Sequence, residues 1–323
     1  MMEMPEYHAV FSIDTSFFNR LDGMYTVEGY VLKPCLLTER NQHTGCSNFI
    51  LEFDFYGLDE KDVDNSERVR RSFVNMNKGA QIAKEFVAWF VLATRDWARL
   101  SSQSQGHAMR FGPCTHHPVE EFDENILETA FHIDKKAKEG EFFKVQRPHF
   151  SFDKLAKEFQ TLKLPSDFLL LTKKMFSLER KERKKFLNAC FSYQFALENW
   201  ISYPTVSLLS LVSAVESMMV DEYTSGFCED GNRLCPLKKD VMKRFKTFFE
   251  RNLQYPLPRE LRDFLNMVYS KRSLYVHEAL LGEGEARGIQ FGLISEEVRQ
   301  LNDEQRYLER LVNAALMEWL KRI

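Results

Sequence analysis

The sequence predicts an α+β protein in which an N-terminal β-containing domain is followed by an all-α helical bundle. Runs of β-branched and aromatic residues lie in residues 7–57, whereas from about residue 151 apolar residues recur at three- and four-residue spacing almost without a break. The apolar fraction of 44% and the charged fraction of 28% are ordinary for a globular protein. A chain of 323 residues is long enough for two domains.

Three strands are predicted near the N-terminus, at His8–Ile13, Tyr25–Leu32 and Asn48–Tyr56. Each is rich in β-branched or aromatic residues and alternates in part between apolar and polar positions. We expect them to form a small antiparallel sheet. Gly29 inside the second run indicates a bulge or a close approach of another backbone.

The rest of the first domain is predicted to contain two helices. One runs from Ala80 to Leu100, after a polar segment from Asp62 to Lys78 that fits neither period, and the other runs from Glu124 to Lys138. Phe142–Phe152 is predicted to be a strand or an extended linker. We place the domain boundary near residue 150, which gives domains 1–150 and 151–323.

Residues 151–323 predict a bundle of seven helical segments. Asp167 and Ser295 lie where residues that cap helix N-termini are expected. The predicted segments are Asp153–Thr161, Ser166–Phe176, Glu179–Trp200, Thr205–Val220, Leu237–Leu253, Pro258–Leu280 and Ser295–Arg322.

The two predicted domains carry opposite net charge. From residue 151 onward there are 27 Lys and Arg against 24 Asp and Glu, a balance of +3, and the earlier residues make the balance of the whole chain -3. Seven basic residues crowd positions 173–185, and they predict either a contact surface for a phosphate backbone or a solvated helix face. The lysines that we take as RNA-binding candidates are Lys173, Lys174, Lys181, Lys184 and Lys185.

Several classes of protein lack support in the sequence. The first residues contain acid and no apolar core of a secretory signal, and the apolar segment Phe86–Thr94 is too short for the ~20 residues of a membrane span. Six cysteines without such a signal favour reduced thiols in a cytoplasmic protein. The sequence contains no P-loop, no dinucleotide-binding glycine motif, no HExxH and no GxSxG.

Cys228 and Cys235 enclose a segment between two predicted helices. Their C-x6-C spacing is looser than that of zinc knuckles, and no second Cys or His pair follows nearby. The spacing favours two loop thiols, with metal binding or a disulfide as the alternatives.

The segment Tyr269–His277 contains the residues to which we assign chemistry. Arg272, Ser273 and His277 bring a cation, a hydroxyl and an imidazole into one short helix, and metal-free RNA cleavage needs these groups. Tyr269, Ser273 and His277 are four residues apart and share one face. Arg272 lies five residues before His277, about 140° round a straight helix, so the two share a site only through the reach of arginine or through a second chain.

This segment resembles the R-x4-H motif of the HEPN superfamily, and its sequence is similar to that of the Apea-like branch of bacterial HEPN proteins. In that family the motif lies on a late helix of a bundle, and an earlier apolar helix has a lone acidic residue. Here Glu216 falls on the apolar stripe of Ser207–Val220, where a carboxylate needs a partner, and we predict that this partner is Arg272.

The resemblance implies a metal-independent endoribonuclease without a cofactor. His277 would act as general base or acid and Arg272 would stabilise charge on the phosphate, with Glu216 holding the guanidinium. Ser273, where the family often has Asn, Asp or His, would bind the phosphate or orient His277. Lys271 and Tyr269 are further candidates for RNA contact.

The resemblance also implies a homodimer whose two copies of the motif meet, and a role in bacterial anti-phage or abortive-infection defence. The first domain would then be a sensor or adaptor that detects a phage product or restrains the nuclease. The alternative is a non-catalytic HEPN-like module that binds protein or nucleotide.

Overall fold

The computed structural model confirms the predicted α+β class. It describes residues 6–15, 20–21, 23–34, 48–61, 63–100, 109–113, 143–144, 161–162, 164–219, 223–227, 234–238, 241–253, 256–277 and 296–323. The chain divides into two compact units, Met1–Ser177 and Leu178–Ile323. This division lies later in the chain than the predicted boundary near residue 150.

The strands of the first unit are β1 Glu6–Thr15, β2 Arg20–Leu21, β3 Gly23–Val27, β4 Tyr30–Pro34, β5 Asn48–Tyr56, β6 Ala98–Leu100, β7 Met109–Pro113, β8 Phe143–Lys144 and β9 Thr161–Leu162. Seven of them form an antiparallel sheet with the order β6-β1-β5-β4-β3-β8, in which β7 also pairs with β1. The long pair β1 and β5 lies at its centre and aligns Glu6 with Tyr56 at one end and Asp14 with Asn48 at the other. Two short strands, β2 and β9, pair separately in parallel.

The predicted single strand from Tyr25 to Leu32 is wrong, because the chain reverses within it. β3 and β4 form a hairpin in which Val27 pairs with Tyr30. The two turn residues, Glu28 and Gly29, both have positive φ, 48° and 78°. Such a turn matches the twist of the strands, and Gly29 adopts its conformation without a Cβ penalty.

Helix α1, Asn65–Thr94, is longer at its start than the predicted Ala80–Leu100 and ends earlier. The carboxylate of Asp64 accepts a hydrogen bond from the Glu67 N–H at 2.9 Å and so caps the N-terminus of the helix. The first half of the helix is largely polar. Residues 98–100, predicted as helix, form β6 instead. The second half of α1 is buried.

Helix α2, Phe168–Ser177, belongs to the first unit, although its sequence is as helical as the segments after residue 177. The indole N–H of buried Trp89 donates to Thr172 Oγ1 at 2.9 Å, and the ring of Phe168 stacks on Trp89 with centroids 6.1 Å apart. This packing on α1 explains why the unit extends past residue 150.

A polar cluster joins β1 to the first half of α1. The buried Asn75 side chain accepts from the Leu58 N–H at 2.7 Å and donates to the Leu58 carbonyl at 2.9 Å, to which the Tyr7 hydroxyl also donates at 2.7 Å. A Cβ on Gly57 would lie 2.6 Å from the Tyr7 ring. Only glycine therefore fits between the two side chains.

A second polar cluster lies across β1, β4 and β5. His8 contacts Asp54 through Nδ1 at 2.6 Å and Glu52 through Nε2 at 2.7 Å. Glu52 also pairs with the buried Lys33 ammonium. Burial lowers the pKa of His8, but the hydrogen bonds to the two carboxylates outweigh it and raise the pKa to about 9.

The second unit contains five helices and one β-hairpin in its described residues. Its helices are α3 Arg180–Glu198, α4 Pro204–Met218, α5 Val241–Leu253, α6 Arg259–His277 and α7 Glu296–Arg322. The hairpin pairs β10 Tyr223–Phe227 with β11 Leu234–Lys238, so the predicted helix from Leu237 is wrong at its start. Pro236 pairs with Ser225 across this hairpin, and it lacks the backbone N–H that a helix interior requires.

The core of the second unit forms where α3, α4 and α7 pack. Phe186 stacks on Trp319 with ring centroids 5.3 Å apart, and the buried Tyr193 hydroxyl donates to Glu309. Gln305 donates to the Pro204 carbonyl at 2.6 Å, which fixes α7 against the start of α4.

Some predicted elements lie outside the described residues. These are the helix Glu124–Lys138, most of the strand or linker Phe142–Phe152 and the helix Asp153–Thr161 except its last residue, Thr161, which lies in β9. Within the part of the chain that the structure describes, no helix has the length and apolar character needed to cross a membrane.

Candidate functional site

Glu216 on α4 lies against two residues of α6. Arg272 Nη2 donates to Glu216 Oε2 at 3.2 Å, so the ion pair predicted from the sequence is confirmed. The Tyr269 hydroxyl donates to the other oxygen, Oε1, at 2.8 Å. One carboxylate thus holds two side chains that are three residues apart and neighbours on the helix surface. We call Glu216, Tyr269 and Arg272 the carboxylate cluster.

The carboxylate cluster is partly buried, and its groups are electrostatically coupled. The side chains of Arg272 and Glu216 are 27% and 21% exposed. The Arg272 guanidinium carbon lies 5.7 Å from the centre of the Tyr269 ring, within cation–π distance. Burial and the hydrogen bond to Glu216 raise the pKa of Tyr269 to about 12, so the phenol stays a donor at neutral pH. The guanidinium is held in place and still reaches solvent.

Ser273 and His277 continue the α6 helix beyond the carboxylate cluster. Ser273 is half-buried, and His277 is the last residue of the helix. The His277 side chain lies outside the described residues, so the predicted angle between it and Arg272 stays a prediction.

The basic run at 173–185 is divided between the two units. Lys173 and Lys174 lie on α2 of the first unit, whereas Lys181, Lys184 and Lys185 lie on α3 of the second. The run is therefore not one helix face, because the chain changes unit within it.

The α3 lysines lie at the end of the bundle that contains the carboxylate cluster. Ser217 Oγ, one residue after Glu216, contacts the Lys185 carbonyl at 3.5 Å, and Lys181 and Lys184 are exposed. Lys271, another RNA-binding candidate, forms an ion pair with Glu304 at 2.5 Å. The hydroxyl of Tyr269 is likewise engaged by Glu216, so both residues have partners within the unit.

Arg244, a buried arginine on α5, is not among the site residues predicted from the sequence. Its positive charge lowers the pKa of Tyr269, against the larger effects of burial and Glu216. Next to it, Phe245 packs on Tyr269 with ring centroids 5.1 Å apart. A single arginine within the Phe-rich face of a predicted amphipathic helix could have drawn attention to this position.

The described residues contain no group of three or more His, Cys, Asp or Glu that could hold a metal ion. Cys235 lies in β11 and pairs with Gly226 across the hairpin, and Cys228 lies outside the described residues. The segment between the two cysteines therefore leads into a hairpin strand and not directly into a helix.

The whole chain was compared with protein-family models, curated proteins and solved structures, and none of them matches it.

Proposed function

We propose that the protein is a metal-independent endoribonuclease of the HEPN type, in which α6 provides the catalytic groups. The observation that supports the proposal is the ion pair between Glu216 and Arg272. Arg272 lies five residues before His277 on the same helix. A carboxylate that fixes a partly exposed guanidinium preorganises it to receive a phosphate. Preorganised positive groups stabilise the charge that develops on phosphoryl oxygens.

The proposed reaction is attack of a substrate 2′-oxygen on the adjacent phosphorus. His277, as general base, takes the proton of the 2′-hydroxyl while the bond from phosphorus to the 5′-oxygen breaks. The 5′-oxygen takes a proton from an acid, for which His277 of a second copy has the right chemistry. The products are a 2′,3′-cyclic phosphate and a 5′-hydroxyl, so no water is consumed.

The other residues have supporting roles in this proposal. Ser273 donates a hydrogen bond to the phosphate or orients His277, and Tyr269 and Glu216 position Arg272. Lys181, Lys184 and Lys185 attract the RNA backbone, because each neutralised phosphate releases a condensed counterion. Lys173, Lys174 and Lys271 are weaker candidates for this contact, since the first two lie on the other unit and the third is paired with Glu304.

A homodimer is part of the proposal, because the spacing of Arg272 and His277 favours a site built from two chains. Leu274 and Val276, which flank the motif on α6, are exposed apolar side chains within the described residues. Apolar side chains beside a functional motif are suited to an interface between copies.

The proposal places the protein in the cytoplasm and in bacterial anti-phage or abortive-infection defence. RNA is its substrate, and a phage-derived activator or an inhibitory partner would act through the first unit. The defence role and the regulation through the first unit rest on the family resemblance alone.

An RNase assay of the purified full chain in EDTA tests the proposal. Arg272→Ala and His277→Ala should each lower cleavage by about 100-fold or more, because transition-state charge stabilisation and general acid–base catalysis are each worth at least that. Arg262→Ala is the matched control: it removes an arginine of the same helix that is exposed and pairs with Glu250 at 3.5 Å, and activity should be unchanged.

Two further readouts separate cleavage from contamination and from loss of fold. The products of the unmodified chain should end in cyclic phosphate, and the 2′-deoxy form of the same oligonucleotide should not be cut. Circular dichroism and size-exclusion chromatography should show that both variants keep the fold and the dimer. Equal activity in all variants, or no activity on varied RNAs, would favour the non-catalytic binding module, in which the Glu216–Arg272 pair is structural. Abolition by EDTA alone would indicate a metal-dependent nuclease.

A further inference from the structure

A cavity of about 280 Å³ lies at the end of the second unit where α4, α5 and α7 meet. Three of its lining residues are arginines: Arg244 and Arg251 of α5 and Arg322 of α7. None of the lining residues in the described part of the chain is acidic. Guanidinium groups present several donors in a fixed plane that matches phosphate and carboxylate.

The three arginines differ in how they are held. Arg244 is buried within the unit, whereas Arg251 and Arg322 are exposed at the cavity mouth. Arg322 donates through Nη1 to the Arg251 carbonyl, which ties the end of α7 to α5. The arrangement places one guanidinium at depth and two at the rim.

The remaining wall of the cavity is mostly apolar and aromatic. Trp319 lines it and stacks on Phe186, and Phe248 and Met218 also line it. The volume of about 280 Å³ is more than an inorganic phosphate fills. It is close to the ~300 Å³ lower limit of small-ligand cavities. The cavity therefore suits a ligand with one anionic end and one flat, weakly polar end.

We propose that this cavity binds a nucleoside monophosphate, with the phosphate among the arginines and the base against Trp319 and Phe248. This site is additional to the proposed nuclease centre and needs no RNA cleavage for its function. Arg244 links the two, since its charge also acts on Tyr269 of the carboxylate cluster. A ligand phosphate at Arg244 would offset that charge.

Isothermal titration calorimetry of the full chain tests the proposal with AMP, GMP, CMP and UMP. At least one should bind, and the matching nucleoside without phosphate and inorganic phosphate alone should each bind at least about tenfold more weakly, as expected for loss of charged hydrogen bonds or of the stacked base. The double variant Arg251→Gln, Arg322→Gln should weaken nucleotide binding at least about tenfold. Both positions are exposed, and circular dichroism should show that the variant keeps its fold without the hydrogen bond from Arg322 to the Arg251 carbonyl.

Arg310→Gln is the matched control, because Arg310 is exposed on the same α7 helix and does not line the cavity. It should bind nucleotide as the unmodified chain does. The same titrations on His277→Ala should also be unchanged, which separates this proposal from the nuclease proposal.

No binding of any of the four nucleotides at millimolar concentration would overturn the proposal. So would unchanged affinity in the double variant. If a 2′-O-methyl RNA binds and loses affinity in the double variant while the mononucleotides do not bind, the cavity is part of an RNA path and the nucleotide proposal is wrong.

Discussion

The ion pair between Glu216 and Arg272 should have a coupling energy of about 1–2 kcal/mol in a double-mutant cycle of Glu216→Gln and Arg272→Gln. Exposed ion pairs are worth about 0–1 kcal/mol and charge-assisted hydrogen bonds about 1.5–3 kcal/mol. The two side chains are 27% and 21% exposed, which places them between these cases. The glutamine at 216 retains an acceptor for Tyr269, so the cycle isolates the contact with Arg272.

The pair Glu318 and Lys321 of α7 is the matched control. Its atoms are 3.1 Å apart, against 3.2 Å for Glu216 and Arg272, but its side chains are 34% and 42% exposed. If burial determines the energy, the control coupling should be below about 0.5 kcal/mol. Urea denaturation followed by far-ultraviolet circular dichroism measures the unmodified chain, the four single variants and the two double variants. Equal coupling energies in the two pairs, or a value near zero for Glu216 and Arg272, would refute this reasoning.

Three other predictions concern single side chains. Asn75→Ala should lower the free energy of unfolding of the first unit by about 1–3 kcal/mol, because the Leu58 N–H loses its acceptor and the Leu58 carbonyl loses one of its two donors, and urea denaturation would contradict this with a loss below about 0.5 kcal/mol. The pKa of folded His8 is raised from 6.5 to about 9. Its contribution to stability is therefore complete below about pH 6.5 and is lost as the pH rises through about 9. Thermal denaturation across this range should show a loss of roughly 1–3 kcal/mol in the unmodified chain that the variant His8→Gln lacks. Burial raises the pKa of the Cys190 thiol, so alkylation of this residue, followed by mass spectrometry, should require denaturant, and rapid labelling of the folded chain would disprove it.

The sequence was most informative where the physical requirement of a side chain could be met in only one way. A carboxylate on the apolar stripe of a helix must find a cation, and Arg272 was the predicted partner of Glu216. The long strands β1 and β5 were found for a similar reason, since their β-branched and aromatic residues fit a half-buried pleated surface.

The sequence was least informative where tertiary packing decides. Nothing in Glu28 predicts a left-handed turn, because the usual Asn or Asp is missing from the first turn position. The membership of α2 in the first unit depends on the Trp89 indole finding Thr172, a contact between residues distant in sequence. The place of Arg244 beside Tyr269 depends in the same way on how α5 and α6 pack.

In the proposed nuclease, the Glu216–Arg272 pair also limits what Arg272 contributes to RNA binding. A guanidinium that already has a carboxylate partner adds little net positive charge, so its value to a phosphate is its fixed position. The long-range attraction of RNA must then come from cations without that partner, and the exposed Lys181 and Lys184 of α3 lie at the same end of the bundle. In this proposal, one residue supplies a guanidinium in a fixed position for the phosphate, and other residues supply the long-range attraction of RNA. A loss of Arg272 should therefore reduce the rate of cleavage far more than the affinity for RNA, whereas a loss of the α3 lysines should do the reverse.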